Sequence, residues 1–266
     1  MTAVISPPPT RTRRTVRVPA RLISPIAVLL AWQLGSMSGL ISPQILPPPS
    51  DVATAGWEVL TNGELATSLA VSGRRVVAGF FLGALLGISL GFLTGTSRVA
   101  DTVLDPLLQA VRAVPHLGLV PLFIIWFGIG ELPKVLLIAL GVVFPLYLNT
   151  ASGFRQVDPK LLEAGAVMGF TLPQRLRYIV FPSAAPQLFV GLRQANASAW
   201  LSLIVAEQVN ARQGLGFLIN NARDFYRTDL VIFGLIVYAA LGLISEALIR
   251  AWESHTFRYR PDTLTR

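Results

Sequence analysis

Six stretches of this chain are apolar over about the 20 residues that a helix needs to cross the hydrocarbon of a bilayer. They run from 22 to 41, 75 to 96, 103 to 128, 132 to 152, 187 to 206 and 229 to 251. Backbone amides in hydrocarbon have no water to bond, so each stretch must close its hydrogen bonds within itself, as a helix. The expected fold is all-α: a polytopic membrane protein with six transmembrane helices. Composition agrees, because only 14% of the 266 residues are charged, whereas soluble domains carry about 25%, and the mean hydropathy is +0.60.

A net charge of +8 would suggest nucleic acid in a soluble protein, but here the basic residues sit beside the apolar stretches and report orientation. If the tail holding Arg11, Arg13, Arg14, Arg17 and Arg21 is cytoplasmic, fourteen of the 22 basic residues fall inside and six outside, with Arg112 and Arg193 in spans. That bias obeys the positive-inside rule and puts both termini in the cytoplasm. The expected organisation is a retained, disordered tail at 1–21, a first span at 22–41, an external loop at 42–67, a five-span core at 68–252 and a second tail at 253–266. No nucleic-acid partner is expected; the bilayer is the surrounding phase.

Much chemistry is excluded. The chain has no cysteine and two histidines, His116 and His255, so thiolate chemistry is absent and a metal site has no usable spacing. Gly87-Ile88-Ser89-Leu90-Gly91 matches the nucleophile-elbow pattern in letters, but that motif needs a strand, a turn and a helix. A phosphate-binding loop needs Gly-Lys-Ser or Gly-Lys-Thr, and both lysines, Lys134 and Lys160, follow prolines. The chain is expected to have no catalytic residues and no cofactor of its own.

Gly79, Gly83, Gly87, Gly91 and Gly95 recur every four residues, which lays a smooth stripe on one face of the second span where another backbone can approach. In the third span Pro115 and Pro121 predict a broken helix, with Arg112 and His116 beside the first break. Non-helical backbone at this depth survives where protein or a water-filled path satisfies it, so Arg112 either lines a path or snorkels from a packed kink. Arg193, about two turns into the fifth span, is open to the same two readings. With Asn196, Ser198 and Ser202 these arginines form the candidate pathway set.

The cytoplasmic loop at 153–186 reads as two short helices. Asp158 caps the first, with Pro159 at its first position; Leu161, Ala164, Gly165 and Met168 share a face, and Gly169 ends the helix in a left-handed conformation. Thr171 with Gln174 opens the second, which Pro182 is expected to stop. Such a pair docks a partner protein or lies on anionic lipid.

Within this loop Glu163-Ala164-Gly165, three residues, Gly169, nine residues, then Ile179-Val180-Phe181-Pro182 resembles the EAA loop of ABC importer permeases. The resemblance covers roughly 68–252, departing mildly at Gly165 and Phe181. It implies that Glu163, Ala164, Gly165, Gly169, Ile179 and Pro182 form the coupling helix seated in a groove of a cytoplasmic ATPase. Trp200–Glu207, Gly214-Leu215-Gly216, Asn221–Phe225 and Thr228-Asp229 are similar to the aliphatic sulfonate permeases, with taurine, nitrate and pyrimidine-precursor permeases sharing several of these elements. The resemblance further implies a second copy of the chain, an ABC ATPase dimer carrying ATP and Mg, and an extracytoplasmic binding protein. The rival class is an ion-coupled secondary carrier. Such a carrier should bury acids, and among the acidic residues only Glu246 lies well inside an expected span, four residues before Arg250.

Overall fold

The computed structural model describes residues 20–257, so most of the expected first tail and residues 258–266 of the second lie outside the described residues, while Glu253–Thr256 belong to the last helix. The elements are α1 (Ala20–Met37), α2 (Pro49–Thr61), α3 (Glu64–Thr96), α4 (Arg98–Ala113), a 3-10 turn (His116–Leu119), α5 (Val120–Phe127), α6 (Glu131–Arg155), α7 (Pro159–Val167), α8 (Leu172–Arg175), a π turn (Leu176–Val180), α9 (Phe181–Asn210), α10 (Leu215–Asp224) and α11 (Thr228–Thr256). There is no strand among the described residues. Among the described residues four helices are long and apolar enough to span, and α4 with the segment His116–Phe127, bent by 77° at its break, makes up to five. The apolar part of α1, Ile23–Met37, is shorter than a full crossing.

The centre of the fold is the seam between α3 and α6, which run parallel and in register. A Cβ built on Gly79 would meet Ile138, on Gly83 Val142, on Gly87 Leu146, on Gly91 Thr150 and on Gly95 Phe154. Each step of four along α3 matches a step of four along α6, so the stripe lays one backbone directly on the other. The closeness is extreme, because the Gly83 Cβ would lie 2.4 Å from the carbonyl oxygen of Ala139. Lipid tails are as apolar as leucine, so contact of this kind, rather than escape from water, holds spans together. Ser89 is an exposed residue in the middle of α3, where no nucleophile elbow exists.

On its other side α6 packs against α9, whose Phe189, Leu192, Ala195, Ala199 and Leu203 join Ile138, Val142 and Leu146 in the main core. The third apolar stretch breaks at Val114–Pro115, as its prolines predict. No residue of α4 is buried; Asp101 and Asp105 tie it to α6 through Arg155 and Tyr147.

Two expectations are corrected. The stretch read as an external loop contains α2, which buries Val52, Ala55, Gly56 and Val59. Gly56 lies so close to the Phe233 ring on α11 that a Cβ would come within 2.3 Å of it. Alternating polar residues hide this short helix from a search for long apolar windows. Pro182 stops nothing: the chain passes from α8 through the π turn into α9 as one helical stretch of 38 residues, Leu172–Val209. The wider i→i+5 turn before Pro182 lets a residue without an N–H follow without breaking the helix.

Candidate functional site

The loop between α6 and α9 is built at one end of the bundle. The Asp158 carboxylate accepts a hydrogen bond from the Lys160 N–H at 2.9 Å and opens α7. At the other end Gly169 has φ +78°. Phe170 N–H donates to the Gly165 carbonyl at 2.9 Å, and Gly169 N–H to that of Ala166 at 3.0 Å. This Schellman pair satisfies carbonyls that the helix end would leave bare. Gln174 Oε1 accepts from the Thr171 N–H at 2.8 Å, which starts α8.

One side of α7 is turned inward. Gly165 is buried against Ile179, whose Cδ1 would lie 2.6 Å from an added Cβ. Leu162, not Leu161, joins the small core of Phe154, Val157, Val180 and Ala184. Leu161, Val167 at 89% exposure, Met168 and Leu172 point outward with Glu163 and Ala164. Gly169 has nothing within 4 Å of its missing Cβ. The loop is thus a rigid double turn that presents apolar side chains around a carboxylate.

The pathway set divides. Ser202 is fully buried, its Oγ 3.3 Å from His116 Nε2 beside the helix break and 2.4 Å from where a Cβ on Gly141 would stand. Asn196 is buried and Ser198 half-buried on the same helix. The two arginines lie elsewhere. Arg193 donates to Glu253 Oε2 at 2.8 Å and joins α9 to α11, and Arg112 stands exposed on the last turn of α4. Because Arg193 holds its acid through one Nη1 contact, no fork geometry is at stake. Arg193→Lys should change stability little and Arg193→Ala lower it by under about 1 kcal/mol, checked by thermal melting of the purified permease. A loss with lysine as large as with alanine would show that the guanidinium plane matters.

Sequence reasoning missed a polar network at the opposite end of the bundle. Glu207, at 0% exposure, is deeply buried near the end of α9, which corrects the expectation that Glu246 is the only deep acid. Its carboxylate accepts from Arg75 Nη1 at 2.6 Å, Ser72 Oγ at 2.7 Å, Gly216 N–H at 2.8 Å and Tyr238 O–H at 2.8 Å. Arg75 also grips Glu131 with Nε and Nη2, each at 2.6 Å. Gly214 has φ +109°, and a Cβ there would stand 2.7 Å from both Arg75 Nη1 and Glu207 Oε1; one on Gly216 would stand 2.3 Å from Glu207 Cβ. Gly214-Leu215-Gly216 is therefore the turn that folds over this carboxylate and leads into α10. Glu246 forms the expected pair with Arg250, at 2.9 Å.

The chain is a helical bundle with spans long and apolar enough for a membrane, an exposed double turn at one end and a buried ion-pair network at the other. The chain belongs to the family of binding-protein-dependent transport system inner membrane components, whose profile matches residues 83–258. It is 41% identical over 237 residues to the Escherichia coli protein assigned to aliphatic sulfonate transport, SsuC, covering 89% of this chain and 90% of that one. It is 39% identical over 239 residues to its Bacillus subtilis namesake, covering 90% and 87%. In fold it is similar to the MetNI methionine ABC transporter in an inward-facing conformation, with a TM-score of 0.55 and 17% identity over 70% of this chain and 95% of that one. It is accordingly an inner-membrane, multi-pass permease subunit of an ABC importer, not itself an enzyme, and membership implies an ATPase and a binding protein as partners.

Proposed function

We propose that this permease moves small organic anions, foremost aliphatic sulfonates, into the cytoplasm at the expense of ATP hydrolysed by a partner. Two copies would pair with an ABC ATPase dimer at the loop and a binding protein at the opposite end, with both termini cytoplasmic. The observation that carries the coupling role is the outward-facing apolar surface of Leu161, Val167, Met168 and Leu172 around Glu163. Among the described residues nothing covers it, and the Schellman turn fixes the end of α7. The sulfonate preference is supported by the two SsuC relatives; taurine or nitrate is the alternative cargo. An ion-coupled carrier loses ground because Glu207, the deepest acid, is saturated by an arginine and three further donors.

Val167→Glu tests the coupling surface with no expected cost in folding, since the side chain is 89% exposed. It should lower co-purification of the ATPase at least tenfold and abolish uptake. Gly169→Leu should act alike by straining the left-handed position, at about 1–2 kcal/mol, while Gly169→Asn, which tolerates that position, should keep most activity. Cargo is read from ATPase stimulation in the reconstituted transporter by binding protein loaded with alkanesulfonate, taurine or nitrate. Full ATPase association by Val167→Glu would reject the docking surface, and stimulation by none of the three ligands would reject the cargo class.

A further inference from the structure

The apolar side chains Val99, Val103, Leu107, Val111 and Val114 recur every three or four positions along α4 and its cap, and are exposed by between 46% and 74%. They share one face of the helix. The opposite face is committed to the chain's own bundle: Asp101 accepts from Arg155 and Asp105 from Tyr147. Beyond the break, His116 Nε2 lies 3.3 Å from Ser202 Oγ and 3.4 Å from where a Cβ on Gly141 would stand. These ties climb α6 in order, from Arg155 through Tyr147 to Gly141, so α4 rises along the span and does not lie flat on the membrane surface. Gly141 is 14 residues from the Arg155 end of α6 and 10 from the Glu131 end, about 21 Å and 15 Å along the axis. The break therefore stands near the middle of the membrane.

Lipid cannot cover a break at that depth. Val114 N–H folds back onto the Val111 carbonyl at 3.2 Å, Pro115 has no N–H, and among the described residues no donor reaches the carbonyls of Arg112 and Ala113. Arg112, Ala113, Val114 and Pro115 are all exposed. Bare carbonyls and an arginine at this level need water or protein beside them, whereas the valine and leucine face that adjoins them needs lipid or protein. A protein neighbour meets both demands on one continuous surface.

We infer that a second copy of this chain packs on α4 along the face of Val99, Val103, Leu107, Val111 and Val114, so that the two breaks face the seam between the copies and Arg112 lines it. The inference rests on the two-copy reading above and assigns it a surface. Copies related by a two-fold axis present the same patch to each other, so α4 meets its own counterpart and a residue close to the axis meets itself. The outer face of α11, with Leu243 and Leu248 at 71% and 67% exposure, belongs to one unbroken helix and is left to lipid.

The chain has no cysteine, so cross-links through a single introduced thiol have one origin. Val99→Cys, Val103→Cys, Leu107→Cys and Val111→Cys, all at exposed positions, are made in the full-length permease expressed with its ATPase, and treated in native membranes with copper phenanthroline or a short bis-maleimide. At least one should give a linked dimer, since a disulfide needs Cα atoms within about 7 Å of each other, while Leu243→Cys and Leu248→Cys on α11 should give none. Val114→Cys should react with a water-soluble maleimide on the order of tenfold faster than Leu243→Cys, because the reactive thiolate forms in water and not in hydrocarbon. Monomer at all four α4 positions, or cross-linking on α11 as strong as on α4, would overturn the surface. So would equally slow labelling at positions 114 and 243, since lipid would then cover the break. The mass of the purified permease–ATPase complex in nanodiscs separates the two levels: two permease copies without an α4 cross-link refute this surface alone, and a single copy refutes the two-copy reading and the surface with it.

Discussion

Alanine at Gly83 should destabilise the permease by about 3 kcal/mol, the upper end of the usual cost of overpacking, and most of the purified protein should be lost to aggregation. The obstacle is backbone, not a side chain that can turn away: the new Cβ would stand 2.4 Å from the Ala139 carbonyl oxygen and 2.7 Å from Val142 Cβ. Relief requires α3 and α6 to move apart by roughly 1 Å, and because the seam continues through Gly79, Gly87 and Gly91 the loss of contact spreads along both helices. Gly73, on the same helix, has nothing within 4 Å of its missing Cβ. Gly73→Ala should therefore be neutral or stabilising by up to about 1 kcal/mol, from helix propensity alone. Melting midpoints of the two variants in one detergent give the comparison. If Gly83→Ala melts with wild type, the seam is not as tight as its geometry states.

That stripe was legible in the sequence because a period of four over seventeen residues, Gly79 to Gly95, has few explanations in an apolar helix. The break at Pro115 was legible for an equally local reason, a ring that cannot continue the hydrogen-bond ladder. The Schellman turn at Gly169 followed from spacing and from the backbone that glycine alone enters freely. What escaped was non-local. Arg75 and Glu207 stand 132 residues apart, and in a hydropathy window each is only a charge near the end of a span. By position alone Arg75, at the edge of an apolar stretch beside Arg74, reads as one of the six outside basic residues. Gly214-Leu215-Gly216 could be matched by resemblance, yet its purpose became visible only when the carboxylate it covers was in view. Which side of α7 turns inward is non-local as well: Leu161 and Leu162 are equally apolar, and only the packing of Ile179 on Gly165 decides that Leu162 joins the core.

Glu207→Ala should cost about 3–5 kcal/mol, the range for breaking a buried ion pair by deleting one partner. The carboxylate does two jobs at once. It neutralises Arg75, itself 3% exposed, and it is the shared acceptor for Ser72, Tyr238 and the Gly216 N–H, so its removal strands donors from α3, α10 and α11 together. Glu131 still holds Nε and Nη2 of Arg75, and Nη1 keeps the Gln213 carbonyl at 2.8 Å, which points to the lower part of that range. Glu207→Gln keeps the volume but turns an amide against donors, so it should fall between wild type and alanine. A cycle with Arg75→Ala then separates pairing from packing: if the ion pair is the main term, the double variant loses clearly less than the sum of the singles. Hydrogen exchange gives the local readout, because the backbone from 214 to 224 closes over the carboxylate and should lose protection in Glu207→Ala before α6 does. Unchanged protection of α10 with an unchanged melting midpoint would mean that the glycine turn stands by itself, and that Glu207 is held by the fold instead of holding it.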